Sequence, residues 1–265
     1  MLLAESLLGS SSTAANYIED VFSTYLFTGN GGAQTITNNI NLSDKGGLVW
    51  YKKRSAVSDH NLYDTARGPY QLRSNSTSAQ VNWTGYWQFN VDGFSFLQAG
   101  LGNDNGSTLA SWTFRKQAKF FDVVTYTGTG ANRTVAHNLG SVPGCIIVKR
   151  TDTTGAWQVY HRSLANNEYI VLNITNPKQT DTTRWNSTTP TSTLFSLGTD
   201  GSVNANGGTY VAYLFAHNAG GFGGTGTDNV ISCGSVTSTG GGVEVNLGYE
   251  PQWVLVKNAS AAEDW

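Results

Sequence analysis

Histidine is the side chain best suited to acid–base and metal chemistry near neutral pH, and this sequence of 265 residues contains four. They are His60, His137, His161 and His217. No two of them are four residues apart, the spacing that places a pair on one helical face, and no acidic cluster accompanies them. We therefore expect no metal ligand and no general base among them, and we interpret the histidines as hydrogen-bonded structural residues.

Other catalytic patterns are also missing from the sequence. The glycine run at residues 240–242 lacks the Lys-Ser/Thr pair of a phosphate-binding loop, so we interpret it as a turn. Glycoside hydrolysis needs two carboxyl groups held across a cleft, and no such pair stands out among the 18 acidic residues. The sequence thus predicts a protein that is not an enzyme and that binds no cofactor.

The elements that position any functional residue are predicted to be strands. Charged residues make up 13% of the chain, about half the usual share, while glycine (31 residues) and aromatic residues are abundant. Aromatic and β-branched side chains suit a half-buried pleated surface, and glycine and asparagine suit the tight turns between strands. Composition therefore indicates an all-β fold.

Charge and hydropathy argue against two classes of partner. The formal net charge is −2 and the only cationic cluster is Lys52-Lys53-Arg54, so we expect no nucleic-acid binding. No apolar stretch approaches the roughly 20 residues of a membrane helix, so we expect no membrane insertion. We interpret Cys145 and Cys233 as buried free thiols, with a single disulfide between them left open.

Three sequence landmarks recur in the same order at a spacing close to 100 residues. They are a Thr-Gly turn, a buried strand ending in lysine, and an Asn/Gly turn that leads into an aromatic strand. The separations are 99, 97 and 101 residues, for Gly29 with Gly128, Lys52 with Lys149, and Asn103 with Asn204. We interpret the pattern as a duplicated domain, whose length is that of a β-sandwich with seven or eight short strands.

A third copy begins near residue 228 and is incomplete. Lys257 follows Lys149 by 108 residues, and Trp265 follows Trp157 by the same number. We expect the sequence to be the N-terminal part of a longer polypeptide or its ordered part, and a natural C-terminus at Trp265 is the less favoured alternative.

The predicted fold is all-β, with tandem β-sandwich or jelly-roll-like domains behind a short helical or extended arm. The Gly-rich residues 219–226 are expected to be flexible. In chain order we predict an N-terminal docking arm, two sandwich repeats, and a Gly-rich linker with the start of an incomplete third repeat, at residues 1–23, 24–121, 122–221 and 222–265.

The arm offers candidate docking residues. A helix is predicted from Ala14 to about Ser23, with one apolar face made by Tyr17, Ile18, Val21 and Phe22. Leu2, Leu3, Leu7 and Leu8 extend this apolar surface. The arm either docks on another protein or packs on its own first domain.

Aromatic residues in turn-rich segments are candidates for glycan contact. They are Trp83, Tyr86, Trp87 and Trp185. Sugars bind where an aromatic face lies beside amide and hydroxyl groups, because their C–H faces stack and their hydroxyls form hydrogen bonds. The alternative is that these side chains cap the sandwich cores.

Several segments resemble a repeated β-rich domain of unknown function found in structural and tail-fibre-like proteins of marine and cyanobacterial phages. The resemblance covers most of the chain from about residue 24 and is carried by residues 120–130, 135–144, 146–150 and 208–217. It implies a virion component, an oligomeric fibre with its N-terminus towards the particle, and it brings no catalytic residue.

The function that we expect is the virion-proximal part of a phage tail fibre, made in the bacterial host cytoplasm and assembled into the tail of the virion. The arm would dock on a tail adaptor, nozzle or other virion protein, and the sandwiches would act as a spacer towards a host-binding tip. A homotrimer is expected from the fibre analogy alone. The alternatives are a capsid decoration protein and, in another class, a glycan-binding or glycan-cleaving module that contacts host surface glycans.

Overall fold

Runs of aromatic and β-branched residues form 17 strands in the computed structural model, which describes residues 15–265. The all-β prediction is confirmed, since helical structure in this range is limited to a 3-10 turn at Ile18–Asp20 and a single turn, α1 (Gly201–Asn204). Every strand pairing is antiparallel, and no helix in the described range is long and apolar enough to cross a bilayer.

The first unit contains nine strands in two sheets. Its strands are β1 (Phe22–Thr28), β2 (Gln34–Thr37), β3 (Gly47–Lys53), β4 (His60–Asp64), β5 (Tyr70–Arg73), β6 (Val81–Asn82), β7 (Trp87–Phe89), β8 (Gly93–Phe96) and β9 (Thr108–Arg115). The large sheet has the order β1-β9-β3-β4-β5-β6, and the small sheet has the order β2-β8-β7.

The second unit contains eight strands and α1. Its strands are β10 (Phe121–Thr127), β11 (Arg133–Ala136), β12 (Cys145–Arg150), β13 (Gln158–His161), β14 (Glu168–Val171), β15 (Gln179–Thr180), β16 (Leu194–Leu197) and β17 (Thr209–Phe215). The large sheet has the order β10-β17-β12-β13-β14-β15, and the small sheet pairs β11 with β16.

The two large sheets have the same arrangement of strands. In each, the first strand lies at an edge beside the last strand, and the third strand lies between the last and the fourth. Lys52 pairs with His60 across β3 and β4, and Val148 pairs with Gln158 across β12 and β13. His60 therefore occupies in the first unit the place that Trp157 occupies in the second.

Each large sheet is apolar on both faces. In β3, Leu48 and Trp50 point into one core, while Val49 and Tyr51 point into another, and all four are buried. Since successive side chains of a strand point to opposite faces, a continuous apolar run requires cover on both sides. The small sheet of each unit covers only one of these faces.

The other faces of the two large sheets meet in a shared core. This core contains Phe22 and Phe114 from the first unit and Phe121, Ile147 and Phe215 from the second. The two sandwiches are therefore not separate domains joined end to end, because each unit buries its second apolar face against its neighbour. The spacer role itself stays a prediction.

The Gly-rich segment at residues 219–226 is held in place, contrary to the prediction of a flexible linker. Phe222 is buried in the shared core and forms a β-bridge with Asp228. The Gly223 amide donates to Asn16 O at 2.9 Å. One large apolar side chain among the glycines is enough to anchor the segment.

Residues 229–265, here called the third segment, contain no strand, although the match of Lys257 with Lys149 predicts a third copy of the buried strand that ends in lysine. The side chains still alternate, with Trp253 and Leu255 packed on the shared core and Val254 and Val256 exposed. The corresponding strands β3 and β12 pair with the fourth and last strands of their own units. Residues 229–265 supply neither of these partners.

The helix predicted from Ala14 to about Ser23 is also corrected within the described range. Only Ile18–Asp20 form a 3-10 turn, and Phe22 already begins β1, where it pairs with Phe114. Pairing along seven residues outweighs a helix of two or three turns, which is marginal by itself in water.

Replacing Phe114 tests whether the two units share one core. The ring lies between Phe22 (4.8 Å between centroids), Phe121 (5.6 Å) and Phe215 (5.5 Å), so it contacts both units. We expect Phe114→Ala to lower the free energy of unfolding by about 3–5 kcal/mol and to weaken amide protection in both units together.

Hydrogen exchange with mass spectrometry measures this effect separately for each unit. Leu26→Ala, at a position that is 59% exposed in β1, is the control and should change stability by less than about 0.5 kcal/mol. Unchanged protection in the second unit of Phe114→Ala would contradict a shared core.

Candidate functional site: the joint between units

The loop after β5 presents backbone carbonyls to the second unit, and Trp157 binds them. Its indole Nε1–H donates to Arg73 O at 3.0 Å and to Ser76 O at 3.1 Å. The Trp157 ring is fully buried in the shared core, and the residue immediately precedes β13. Because an indole N–H left without an acceptor is costly when buried, these two carbonyls fix the position of the ring.

Three further hydrogen bonds connect the same two segments. The Gly155 amide donates to Thr77 O at 2.8 Å, and the Gln80 amide donates to Thr151 O at 3.0 Å. Lys149 Nζ donates to the same Thr77 carbonyl at 3.2 Å. Residues 73–80 therefore contribute three carbonyl acceptors, of Arg73, Ser76 and Thr77, and one donor, the Gln80 amide. We call them the carbonyl loop of the first unit.

Lys149 is unusual because its charged side chain is fully buried. Burial, with a smaller contribution from the charge of Arg67, lowers the pKa of Lys149 to about 8. Its ammonium group has backbone carbonyls as partners, Thr77 O and Arg150 O (2.7 Å), instead of a carboxylate. These two oxygens offset part of the cost of removing the charge from water.

The third segment binds the second unit through the same set of contacts. Trp265 Nε1–H donates to Val171 O at 2.8 Å, and Lys257 Nζ donates to Thr175 O at 2.9 Å. The Glu263 amide also donates to Thr175 O at 2.9 Å, and the Lys178 amide donates to Ala259 O at 3.0 Å. Residues 171–178 are thus the carbonyl loop of the second unit.

Both sides of this joint keep a constant spacing between its two occurrences. The carbonyl loops are 98 residues apart, as from Thr77 to Thr175, and the residues that bind them are 108 apart, as from Trp157 to Trp265. We call the surface that binds a carbonyl loop the Lys–Trp face. It consists of Lys149, Thr151, Gly155 and Trp157 in the second unit, and of Lys257, Ala259, Glu263 and Trp265 in the third segment.

A buried ionic network strengthens the joint between the first two units. Arg67 Nη2 lies 2.6 Å from Asp64 Oδ2, and the hydroxyl of Tyr213, from the second unit, donates to the same oxygen at 2.7 Å. Burial would lower the pKa of Arg67, but the charge of Asp64 and the contact with Tyr213 raise it overall. Burial and the neighbouring Asp64 charge likewise raise the pKa of Tyr213, so its phenol stays protonated and donates.

A polar groove of about 230 Å³ lies on the first unit beside Trp83. The Trp83 Nε1–H donates to Gln71 Oε1 at 3.2 Å, and Gln71 Nε2 donates to Asn61 Oδ1 at 2.8 Å. Arg73 and Asp59 form a half-exposed ion pair at 3.3 Å in the same wall. An aromatic ring, two amides and two opposite charges therefore converge here.

The four aromatic candidates for glycan contact separate into two pairs. Trp83 and Tyr86 are half-buried and pack edge to face, with centroids 5.2 Å apart. Trp87 and Trp185 are 4% and 2% exposed, so the expectation that they stack on a sugar is wrong. Trp87 stacks on Tyr63 at 4.1 Å, and Trp185 packs edge to face on Tyr160 at 6.0 Å, inside the sandwich cores.

The candidate docking residues of the arm are also dispersed. Val21 and Phe22 are buried in the shared core and Ile18 packs against it, whereas Tyr17 is 45% exposed. They form no common apolar face for a partner, because Phe22 belongs to a strand. The remaining four candidates, Leu2, Leu3, Leu7 and Leu8, lie outside the described residues.

Each of the four histidines accepts a hydrogen bond at Nδ1. The donors are the Trp50 indole for His60 (3.1 Å), the Leu139 amide for His137 (3.2 Å), the Ser163 amide for His161 (3.2 Å) and the Cys233 amide for His217 (3.0 Å). Burial is the main cause that lowers the pKa of all four.

The cysteines and acidic residues form no further site in the described range. Cys145 and Cys233 are free, and burial raises the pKa of both thiols, to about 12 for Cys233. Residues 15–265 contain no group of three or more His, Cys, Asp or Glu side chains placed to hold a metal ion.

Comparison with known proteins places the chain in a family without an assigned activity. The family model described as "Domain of unknown function (DUF7483)" matches residues 18–265, which include both units and the third segment. The chain belongs to this family. No curated protein and no solved structure matches it.

Sequence reasoning found one side of the joint and missed the other. Lys149, Lys257, Trp157 and Trp265 stand out because they recur at a constant spacing. Their acceptors are main-chain carbonyls, which any residue type provides, so the carbonyl loops have no signature in the sequence. The recurrence of Lys and Trp at 108 residues was the only available signal.

Trp157→Phe tests the contribution of the indole hydrogen bonds to the joint. The variant keeps an aromatic ring but removes the indole donor from both carbonyls: Arg73 O keeps the Ser76 amide at 3.1 Å, whereas Ser76 O loses its donor. We expect a loss of about 1–3 kcal/mol in the free energy of unfolding. Denaturant titration measures the loss.

Trp185→Phe is the matched control, because this indole N–H is equally buried and has no acceptor within the described residues. It should cost less than Trp157→Phe, since only the ring size changes. Equal losses for the two variants would contradict the assigned role of the Trp157 N–H.

The lowered histidine pKa values predict that the free energy of unfolding decreases as the pH is lowered. The unfolded chain takes up protons on its histidines near pH 6.5 while the folded chain does not, so the histidine contribution to stability is complete above about pH 7 and declines towards pH 5. His137→Asn should reduce this decline. Asn38 occupies the corresponding site in the first unit, where its Oδ1 accepts from the Ile40 amide at 3.3 Å.

Free energies of unfolding measured at pH 5, 6 and 7 test whether His137 contributes to the loss of stability at low pH. We expect His137→Asn to match the unmodified chain at pH 7 within about 1 kcal/mol, since the acceptor is retained, and to lose less by pH 5. An identical loss in both proteins would show that His137 does not contribute.

Proposed function

We propose that this protein is a structural component of a bacteriophage virion and forms the particle-proximal part of a tail fibre. The resemblance of its repeated segments to tail-fibre-like phage proteins suggests the setting. In this proposal the protein has no catalytic role, and it connects the tail to the more distal parts of the fibre.

The observation that supports a structural role best is the joint that occurs twice. The same donors and acceptors connect the second unit to the first and the third segment to the second. A heterologous contact that is repeated along a chain builds an assembly in which each unit fixes the orientation of the next. An appendage that transmits an orientation from the particle towards the host needs such stiffness.

The proposed spacer is a stiff block and not a flexible string. The shared core and the ionic network of Asp64, Arg67 and Tyr213 connect the first two units across a broad contact. The N-terminal arm remains the proposed attachment to a tail adaptor, nozzle or other virion protein. Assembly as a homotrimer also remains a proposal from the fibre analogy.

Antibody labelling of intact virions in electron microscopy tests the proposed location. We expect label on the tail only, and we expect it to be lost when residues 1–14 are deleted from the gene. Label distributed over the head would contradict the tail-fibre assignment and support capsid decoration instead. Virions that lack the protein altogether would contradict both assignments.

The groove beside Trp83 favours a second role, binding of a host surface glycan. Its half-buried Trp83 ring supplies a surface for stacking, and the half-exposed Arg73–Asp59 pair supplies hydrogen bonding, while the buried amides of Gln71 and Asn61 hold the ring in place. Binding of host polysaccharide followed by tryptophan fluorescence should be reduced at least tenfold in Trp83→Ala and unaffected in Tyr17→Ala, an exposed aromatic residue elsewhere. Equal binding by both variants would exclude the groove.

A further inference from the structure

The second unit contains a counterpart of the groove beside Trp83. The two units correspond in this region at a spacing of 98 residues, because β5 pairs with β6 in the same register as β14 with β15. Arg184 of the second unit therefore matches Tyr86 of the first. The backbone agrees, since the Gly198 amide donates to Arg184 O at 2.9 Å and the Leu97 amide donates to Tyr86 O at 2.8 Å.

The side chain of Arg184 fills this counterpart from within the second unit. Its Cζ lies 3.6 Å from the centre of the Tyr169 ring. Its Nη1 donates to Gln158 Oε1 and, at 2.9 Å, to Ser202 Oγ. Its Nε lies 3.3 Å from Asp181 Oδ2. Ring stacking, hydrogen bonds and an opposite charge thus hold one planar polar group in this place.

The same place in the first unit is open to solvent. Two residues that line the groove match two residues that contact Arg184, Gln71 with Tyr169 and Asn61 with Gln158. At the position of Arg184 the first unit has Tyr86, which packs on the Trp83 ring. The first unit therefore keeps a polar site and leaves out the side chain that fills its counterpart.

A charged pair distinguishes the groove from its counterpart. Arg73 and Asp59 stand where the second unit has Val171 and Ala156. Asp59 Oδ1 accepts from Asn75 Nδ2 at 2.8 Å, and Asp59 Oδ2 lies 3.3 Å from Arg73 Nε. Nη1 and Nη2 of Arg73 form no hydrogen bond within the part of the chain that the structure describes. Two parallel N–H groups of arginine are the donors that bind a carboxylate most specifically.

Both groups that would contact a ligand are held in position beforehand. The Arg73 carbonyl oxygen accepts from the Trp157 indole at 3.0 Å, and its Nε faces Asp59. The Trp83 indole is fixed by its hydrogen bond to Gln71. Because these side chains are already ordered, a ligand would lose little affinity to the cost of ordering them.

The charge beside the groove favours an anion. The cluster Lys52-Lys53-Arg54 lies at the end of β3, and a Cβ on Gly102 in the groove wall would lie 3.9 Å from Lys53 Cε. Lys53 is paired with Asp104, whereas Lys52 and Arg54 have no carboxylate partner among the described residues. This positive potential attracts an anionic ligand to a protein whose formal net charge is −2.

From these features we propose that the groove binds one acidic sugar residue, with its carboxylate on the Nη groups of Arg73 and its ring against Trp83. The volume of about 230 Å³ is below the roughly 300–1,000 Å³ of sites for drug-sized ligands, which fits a single residue. Uronic and nonulosonic acids are sugars that carry such a carboxylate. The inference rests on the proposed glycan-binding role of the groove and names the class of sugar.

Titration calorimetry of the unmodified protein tests the class of ligand. The probes are oligogalacturonate, oligoguluronate and oligosialate, each compared with a form in which a primary alcohol replaces the carboxyl group. We expect an acidic probe to bind at least about tenfold more tightly than its reduced form, because a charge-assisted pair adds to stacking. A glutamate tetrapeptide, which has carboxylates and no sugar ring, should bind at least about tenfold more weakly than that probe.

Arg73→Gln separates a carboxylate contact from a structural role of Arg73. We expect it to weaken the acidic probe at least about tenfold and to leave the reduced form unchanged. Arg73→Val, which introduces the residue that the second unit has here, should give the same result and guards against a defect specific to glutamine. Arg162→Gln is the matched control, because it removes the same charge from an exposed arginine of the second unit, and it should bind both forms normally.

The outcomes separate failure of this inference from failure of the glycan-binding role. Equal binding of acidic and reduced forms, lost in Trp83→Ala, would overturn the carboxylate contact and leave the glycan-binding role intact. Binding of host polysaccharide but of no acidic probe would do the same. Equal weakening of both forms by Arg73→Gln would show a structural role only. A glutamate peptide that binds as tightly as the sugars would overturn the sugar class, and no binding of any glycan would contradict both proposals.

Discussion

The large sheets of this protein are apolar on both faces, and every other feature of the architecture follows from the need to cover them. In β3 and β12 successive side chains point into different cores, so neither face tolerates water. A small sheet of two or three strands covers one face within each unit. The other face has no cover inside its unit, and it becomes buried only when a second unit packs against it.

Without the hydrogen bonds of the joint, the packing of the two large sheets would not fix their relative orientation. Apolar contact alone permits the two sheets to slide and rotate. The N–H groups of Trp157, Gly155 and Gln80 reach their acceptors in only one relative position of the two units. The network of Asp64, Arg67 and Tyr213 adds a requirement for charge and hydrogen-bond satisfaction. Apolar burial thus supplies the stability and the polar contacts supply the orientation.

Much of the secondary structure could be predicted from the sequence, because runs such as residues 145–150 and 209–216 combine β-branched and aromatic residues between clear turns. The structure has strands at Cys145–Arg150 and Thr209–Phe215. The shared core could not be predicted, since an apolar run shows that a strand is buried and not what covers it. The sequence also does not show whether a tryptophan faces solvent. Trp83 and Trp87 are four residues apart, and the second is buried because it packs among several rings, Tyr63 and Phe94 among them.

Mechanical unfolding of single molecules pulled from their two ends tests most directly whether the units form one cooperative body. The account predicts a single rupture that releases the described residues together, a contour length of roughly 88 nm at about 3.5 Å per residue. Two ruptures of roughly 35 nm each, as expected for units of about 100 residues that unfold one after the other, would contradict it.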